Sequence, residues 1–218
     1  MIEEDPKELV RRGYNALSDR YDEAFGGGTK YEACLRELDR HVIAAGTVLD
    51  LGCGSGMPVA RTLANSGRRV IGVDISDVQI EKARALVPAA EFICADAATI
   101  HFEPGSFDAV VCLYALIHMP LDEQSLLLTR IAEWLRPNGW FVATTGHDSW
   151  TGIDPNWLGG DATMWWSQAD AATYRSWLTQ AGLTVVGEEF VPEGTSGHTL
   201  FWTVKEPHGT PPSAVTTR

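Results

Sequence analysis

The spacing of apolar residues changes several times along the chain, and each change predicts a new element. Residues 6–24 and 30–45 carry apolar positions at helical intervals, as in Leu35, Leu38, Val42 and Ile43, with Gly26-Gly27-Gly28 as the break. Short apolar runs at 47–51, 69–74, 91–95 and 140–145 read as strands. The unbroken run Phe107–Tyr114 reads as a central parallel strand buried on both faces. Between them lie helical stretches at 57–66, at 77 to about Leu86 with Ser76 and Asp77 as candidate caps, and at Asp122–Leu135 before a Pro137-Asn138-Gly139 turn. A last helix at 168–181 precedes two strands near 183–191 and 198–204. Strands alternating with helices predict an α/β, doubly wound, mostly parallel sheet. The final two strands follow one another without a helix, which permits an antiparallel hairpin at the edge.

One stretch breaks the regularity. Residues 146–167 hold Trp150, Trp157, Trp165 and Trp166, half of the eight tryptophans in the chain. It reads as a long loop inserted in the domain, and such loops usually serve a function.

Length and charge narrow the partners. At 218 residues the chain suits one α/β domain, and a formal net charge of −12 with no basic stripe argues against nucleic acid. No apolar stretch reaches the length of a membrane span, and the acidic N-terminus lacks the apolar run of a signal peptide. Cys34, Cys53, Cys94 and Cys112 show no C-x-x-C spacing, and Cys94 and Cys112 fall in apolar strands as reduced core residues. No metal-ligand cluster appears. The expectation is a cytoplasmic monomer or homodimer without metal that acts on a small molecule.

The chemistry concentrates at Val48-Leu49-Asp50-Leu51-Gly52-Cys53-Gly54-Ser55-Gly56, followed by Val73-Asp74-Ile75-Ser76. Glycines at 52, 54 and 56 let the backbone turn tightly and approach a ligand. A carboxylate at the end of the second strand, Asp74, suits the two hydroxyls of a ribose. The G-x-G-x-G spacing departs from the dinucleotide fingerprint, and Asp50 would repel a pyrophosphate. A ligand bearing an ammonium and a sulfonium would instead be attracted.

With Cys94-Ala95-Asp96-Ala97, the run from Phe107 to Pro120 and Leu135–Phe141, these segments resemble the class I S-adenosylmethionine-dependent methyltransferases of the small-molecule, ubiquinone-biosynthesis-like group. The resemblance spans roughly residues 9–204. It implies a seven-stranded sheet in the order 3-2-1-4-5-7-6, a helical cap at 1–45, a catalytic domain at 46–206 with the insertion at 146–167, and a fraying tail at 207–218. It implies that S-adenosylmethionine lies over Gly52 and Gly54, with Asp50 near its ammonium and Asp74 on its ribose. Ile75 would pack on the adenine, Asp96 would accept from the adenine amino group, Ala97 would address the ring through its backbone, and Leu113 would offer its carbonyl to the ammonium. Tyr21, in a Tyr-Asp pair, would cover the cofactor, with Tyr14 and Arg20 as neighbours of similar reach.

The acceptor is less legible. Tyr114-Ala-Leu-Ile-His-Met-Pro stands where nucleic-acid amino methylases carry an Asn-Pro-Pro-Tyr type segment, which favours a small, aromatic or heterocyclic acceptor, as in secondary metabolism. Tyr114, His118, Trp165 and Trp166 are its candidate contacts. If a proton must leave the acceptor, His118 is the first candidate base, His198 the second and His147 the third. The rival readings are a non-catalytic cofactor-binding protein on the same fold and an NAD-type oxidoreductase.

Overall fold

Strands β1 (Thr47–Leu51) and β4 (Phe107–Cys112) lie side by side at the centre of the molecule, and nearly all their side chains are buried. A computed structural model describes residues 5–25 and 30–207. The remaining elements are α1 (Pro6–Phe25), α2 (Glu32–His41), α3 (Val59–Asn65), β2 (Arg69–Asp74), α4 (Asp77–Leu86), β3 (Glu91–Cys94), α5 (Leu121–Trp134), β5 (Leu135–Gly146), β6 (Trp150–Asp154), β7 (Met164–Gln168), α6 (Ala171–Gln180), β8 (Leu183–Glu193) and β9 (Ser196–Lys205). Seven strands form one sheet in the order β3-β2-β1-β4-β5-β9-β8, with β9 antiparallel to both neighbours. This is the expected order with two further strands, β6 and β7, paired apart from it.

Alternation along the central strands decides which layer each residue joins. Leu49, Val110, Phe141 and Phe201 face α5 and α6, meeting Leu127, Leu128, Ile131, Tyr174 and Leu178. Val48, Ala109, Val111 and Val142 face the other way, toward Leu35, Leu38, Leu63 and Ile80 of α2, α3 and α4. Full burial of each such side chain is worth about 1.5–3 kcal/mol, so the two layers dominate stability. Helix α2 therefore belongs to the sheet, while α1 runs past the carboxyl ends of the strands.

Several boundaries differ from the periodicity. Helix α2 stops at His41; Val42 turns extended, and Ile43 is 62% exposed instead of joining the buried face. The 137–139 turn lies inside β5: Phe107 pairs with Leu135 but Ala109 with Trp140, and Asn138 has φ +65°. The chain thus makes a bulge without leaving the sheet. Helix α6 starts at Ala171, capped by Asp170, because the preceding residues pair as β7. Cys112 is buried, whereas Cys94 is exposed at the end of edge strand β3. The segment at 146–167 is no irregular loop; it is the β6–β7 hairpin. The glycine break at 26–28 lies outside the described residues, as does the tail beyond 207.

Candidate functional site

The first glycine turn after β1 is shaped by steric necessity. Gly52 has φ +73°, and a Cβ there would stand 2.3 Å from that of Ala115. Gly54 has φ +51° with open space around its missing Cβ, on the wall of a cavity. The backbone N–H of Gly54 donates to Asp74 Oδ2 (2.9 Å) and that of Ser76 to Oδ1 (2.8 Å). The N-terminus of α4 is capped by Ser76, whose hydroxyl accepts from Gln79 N–H, so Asp74 is not needed as the cap. The backbone of Ile75 also bonds this carboxylate, which leaves it one lone pair for a ligand. Burial raises the pKa of the Asp74 carboxyl, against the pull of these amides.

Asp50 is 3% exposed on β1, and burial, followed by the charge of Asp74, pushes its carboxyl up to about 8. The backbone of Ala60 opposes this rise, and Asp50 has no ion pair among the described residues. Asp96, after β3, has its Oδ2 2.6 Å from Lys7 Nζ, while its Oδ1 accepts from Ala98 N–H. Lys7 also reaches Glu123 at 2.7 Å. Gly52, Gly54, Asp74, Ile75, Asp96, Ala97 and Leu113 line one cavity, and Lys7 closes its far end. Lys7 was not anticipated; one lysine among the mixed charges of α1 gives no sequence signal.

A second cavity, about 1240 Å³ including its open mouth, adjoins the first. Both are walled by Tyr14, Tyr21, Gly52, Gly54, Leu113, Tyr114 and His118, and Asp50 faces the second. Tyr21 is held in place by its neighbour Asp22, which accepts from Ser55 Oγ (2.9 Å) and pairs with Lys82 (2.9 Å). The roof comes from the hairpin: Trp157 meets Tyr14 edge-on at 5.1 Å and Trp166 at 6.2 Å. Buried Gln124 fixes the root of this roof, donating to the carbonyls of Met119 and Ser167 and accepting from Tyr174 Oη.

His118 sits in a short 3-10 turn after β4, 8% exposed. Its Nδ1 lies 2.8 Å from the Trp165 carbonyl, which can only accept, so Nδ1 carries the hydrogen. Nε2 is then the lone-pair nitrogen, and the Tyr14 hydroxyl donates to it at 3.0 Å. Burial, opposed by the Trp165 carbonyl, lowers the imidazole to about 4. Burial also raises the Tyr14 phenol well above its ordinary range.

Four candidates fall elsewhere or act differently. Arg20 donates to the carbonyls of Leu158 (3.2 Å) and Gly159 (2.6 Å) and lines neither cavity. Trp165 turns away from the cavities and contributes its carbonyl to His118, because alternation along β7 sends Trp166 inward and Trp165 out. His147 is exposed, bonded to Thr199 Oγ1 (3.0 Å) and packed on Phe190, also outside both cavities. His198 does line the second cavity but is held by Glu193 Oε2 (3.0 Å) and the Thr145 carbonyl (3.2 Å). Trp157, from the tryptophan-rich insertion, also lines that cavity, as do Tyr31, Lys30 and Glu193, which were not expected. Their distances in sequence left nothing to read.

Residues 48–139 match the family model described as "Methyltransferase domain". The chain is 31% identical over 152 residues to 27-O-demethylrifamycin SV methyltransferase of Amycolatopsis mediterranei, covering 60% of this chain and 55% of that protein. The chain spans about half the length of the curated relatives it matches. Among solved structures, magnesium protoporphyrin IX methyltransferase from Synechocystis with bound S-adenosylmethionine superposes with a TM-score of 0.73 at 19% identity, covering 94% of this chain and 100% of that one. The 1,6-didemethyltoxoflavin-N1-methyltransferase of Burkholderia thailandensis, with that compound and S-adenosylhomocysteine bound, gives 0.72 at 19% identity, covering 95% and 93%. The match over residues 48–139 and these likenesses support a class I S-adenosylmethionine-dependent methyltransferase domain in this chain.

Proposed function

We propose that the protein transfers a methyl group from S-adenosylmethionine to a small aromatic or heterocyclic acceptor. The observation that carries this reading is the pair of adjoining cavities: one edged by carboxylates suited to a ribose and an adenine, the other walled by aromatic rings, with Asp50, which has no ion pair among the described residues, on the wall of the second. When bound, S-adenosylmethionine supplies an electrophilic methyl group on a sulfonium. Asp50 fits its ammonium, since a buried carboxyl pushed up to about 8 gains most from an adjacent cation. Asp74 would hold a ribose hydroxyl, Gly52 and Gly54 would lie against the amino-acid part, and Leu113 would offer its carbonyl there. Ile75 and Ala97 would bracket the adenine and Asp96, steadied by Lys7, would accept from its amino group. Tyr14 and Tyr21 would close over the cofactor on the acceptor side.

The acceptor would lie under Trp157 and Trp166, its reacting atom aimed at the common wall. Most of the acceleration then comes from alignment. Where the acceptor carries a proton, the chain has a route for it: from the acceptor to Tyr14 Oη, with the Tyr14 hydrogen passing to His118 Nε2. Burial of His118 keeps that lone pair free across the physiological range. The acidic surface and the aromatic second cavity favour a small molecule as partner. A second reading, cofactor binding without turnover, is separated by the same experiment.

That experiment is single-turnover methyl transfer to a panel of phenols, amines and indoles from pH 5.5 to 9, for the wild type and His118→Asn. For an acceptor that must lose a proton, the wild-type rate should show no step near the usual histidine range, because His118 is neutral throughout. His118→Asn should slow the step by about 10²-fold, the low end for base catalysis. Equal rates in both proteins would remove His118 from proton transfer. S-adenosylhomocysteine binding without any methyl turnover across the panel would favour the non-catalytic reading.

A further inference from the structure

Beyond the aromatic walls, the second cavity ends in a corner built from five polar side chains on three separate segments. Lys30 precedes α2 by two residues and Tyr31 by one, Tyr114 follows β4, and Glu193 and His198 flank the β8–β9 turn. None of Lys30, Tyr31, Glu193 or His198 borders the first cavity. Tyr114 is held with φ +64°, a conformation costing a non-glycine residue about 1–2 kcal/mol, and its N–H donates to Thr144 Oγ1 at 2.5 Å. That backbone aims its hydroxyl into the corner.

A hydrogen count shows what the corner lacks. The Tyr114 hydroxyl receives Lys30 Nζ at 2.7 Å and the Tyr31 hydroxyl at 2.6 Å, which fills both of its lone pairs. Its own hydrogen has no acceptor among the described residues. Were Tyr31 the acceptor instead, the Tyr31 hydrogen would be left over, so one hydroxyl hydrogen is in surplus either way. The ammonium of Lys30 lies 3.7 Å from Glu193 and above the faces of Tyr31 and Tyr114 at 5.6 and 5.3 Å. Glu193 is also bonded to His198. Both ring nitrogens of His198 face oxygen acceptors, the Glu193 carboxylate and the Thr145 carbonyl. Glu193 thus serves two donors and is not placed to take the surplus hydroxyl hydrogen, which lies on the Tyr31–Tyr114 pair.

We infer that the Lys30–Tyr31–Tyr114 corner is the specificity subsite for an anionic oxygen, a carboxylate or phenolate carried on the ring of the methyl acceptor. Such an oxygen takes the surplus hydroxyl hydrogen and one ammonium hydrogen, while its ring lies along Tyr21, Trp157 and Trp166. A neutral ring of the same shape fills the walls but leaves the corner's donor unmade, and specificity of this kind discriminates strongly. The inference rests on the acceptor reading of the second cavity.

The test is calorimetry on the full chain saturated with S-adenosylhomocysteine, titrating naphthoate against naphthamide and nitrophenolate against nitroanisole. At least one anion should bind about tenfold or more tightly than its neutral partner, and the arm that does so tells carboxylate from phenolate. Lys30→Met should abolish that preference, and Tyr114→Phe should reduce it, while the neutral probes bind the Lys30→Met protein as they bind the wild type. Lys30 is exposed, so its replacement is not expected to disturb folding. Equal binding of anion and neutral partner, a preference that survives Lys30→Met, or no binding of any probe at millimolar concentration overturns the inference. So does a result in which Lys30→Met weakens S-adenosylhomocysteine alone, since the corner would then serve the cofactor's own carboxylate. Failure of S-adenosylhomocysteine to bind the wild type speaks against the proposed function instead, and the anion preference is then read on the protein without it.

Discussion

The floor of the site and its cover are held together by different physics. The floor is the sheet with its glycine turn, where ladder hydrogen bonds and two apolar layers fix Asp50, Gly52, Gly54 and Asp74. The cover is α1 with the β6–β7 hairpin, and its own apolar cluster has only four buried members, Val10, Leu17, Trp157 and Met164, with partly buried side chains such as Tyr14, Tyr21 and Trp165 packed on them. Its other ties to the floor are polar. Asn15 Nδ2 donates to Asp77, Asn15 Oδ1 accepts from Ser76 Oγ, and Lys82 pairs with Asp19 and Asp22. An assembly of this kind opens at lower free-energy cost than the layers beneath it. The two cavities share this boundary, so under the proposed function changes to the floor should strike cofactor binding and changes to the hairpin part of the cover should strike the acceptor.

The largest effect is expected on the floor. Gly52→Ala puts a Cβ 2.3 Å from that of Ala115 and forces an alanine to φ +73°. Left-handed backbone and overpacking together cost about 2–5 kcal/mol. Denaturant unfolding should report that loss, and S-adenosylhomocysteine affinity should fall about 100-fold or more. Near-normal affinity would mean that the turn is not where the cofactor lies. Trp157→Ala is the matching change in the cover. It deletes a ring that touches Tyr14, Tyr21 and Trp166. For the most active compound of the acceptor panel, kcat/KM should drop about tenfold, close to 1.4 kcal/mol, with cofactor affinity within about threefold. A larger loss of cofactor than of acceptor would erase the division between floor and cover.

Asp50 sharpens the comparison through protons. Its carboxyl is held up near 8, against an unfolded value near 3.8. Between these values the unfolded chain is ionised while the folded chain keeps its proton, so this residue makes stability fall as pH rises from about 4 to about 8. An ammonium arriving beside it reverses the preference. At pH 7, S-adenosylhomocysteine should therefore release a sizeable fraction of about one proton and bind more tightly as pH rises toward about 8. Calorimetry in two buffers of different ionisation enthalpy measures this release. Asp50→Asn should abolish it, and release that persists in the variant would place the titrating group elsewhere.

The same division governed what the sequence could disclose. The strands and the glycine turn were legible because they depend on local pattern: alternation, apolar runs, and glycine where φ must be positive; the order of the strands came with the family resemblance. Helix α4 is capped by Ser76, one of the two caps its sequence offered. The cover was much less legible. Trp166 rather than Trp165 faces the cavity because the segment is a hairpin, and the pairing that makes it one links residues on either side of an irregular turn. The Tyr14–His118 bond joins residues 104 apart, and the Lys30–Tyr114 bond joins residues 84 apart. Arg20 looked like a ligand residue by proximity to Tyr21, yet successive helical side chains point in different directions, and its guanidinium turns to the hairpin carbonyls.

The smallest effect concerns how the cover is fastened. Lys82 on α4 reaches Asp19 at 2.6 Å and Asp22 at 2.9 Å on α1, and Asp19 is 90% exposed. Pairs in such a setting contribute about 0–1 kcal/mol and weaken with salt. Lys82→Met should hardly move the global unfolding midpoint, since none of the buried layers depends on it. Amide exchange in residues 6–25 should nevertheless speed up by about two- to fivefold, because the cover opens independently of the floor. Raising the salt should accelerate exchange there in the wild type and much less in the variant, since the screened interaction is already gone. Exchange that rises equally in β1 and β4 would show that cover and floor open as one unit, and the separation drawn between them would fail.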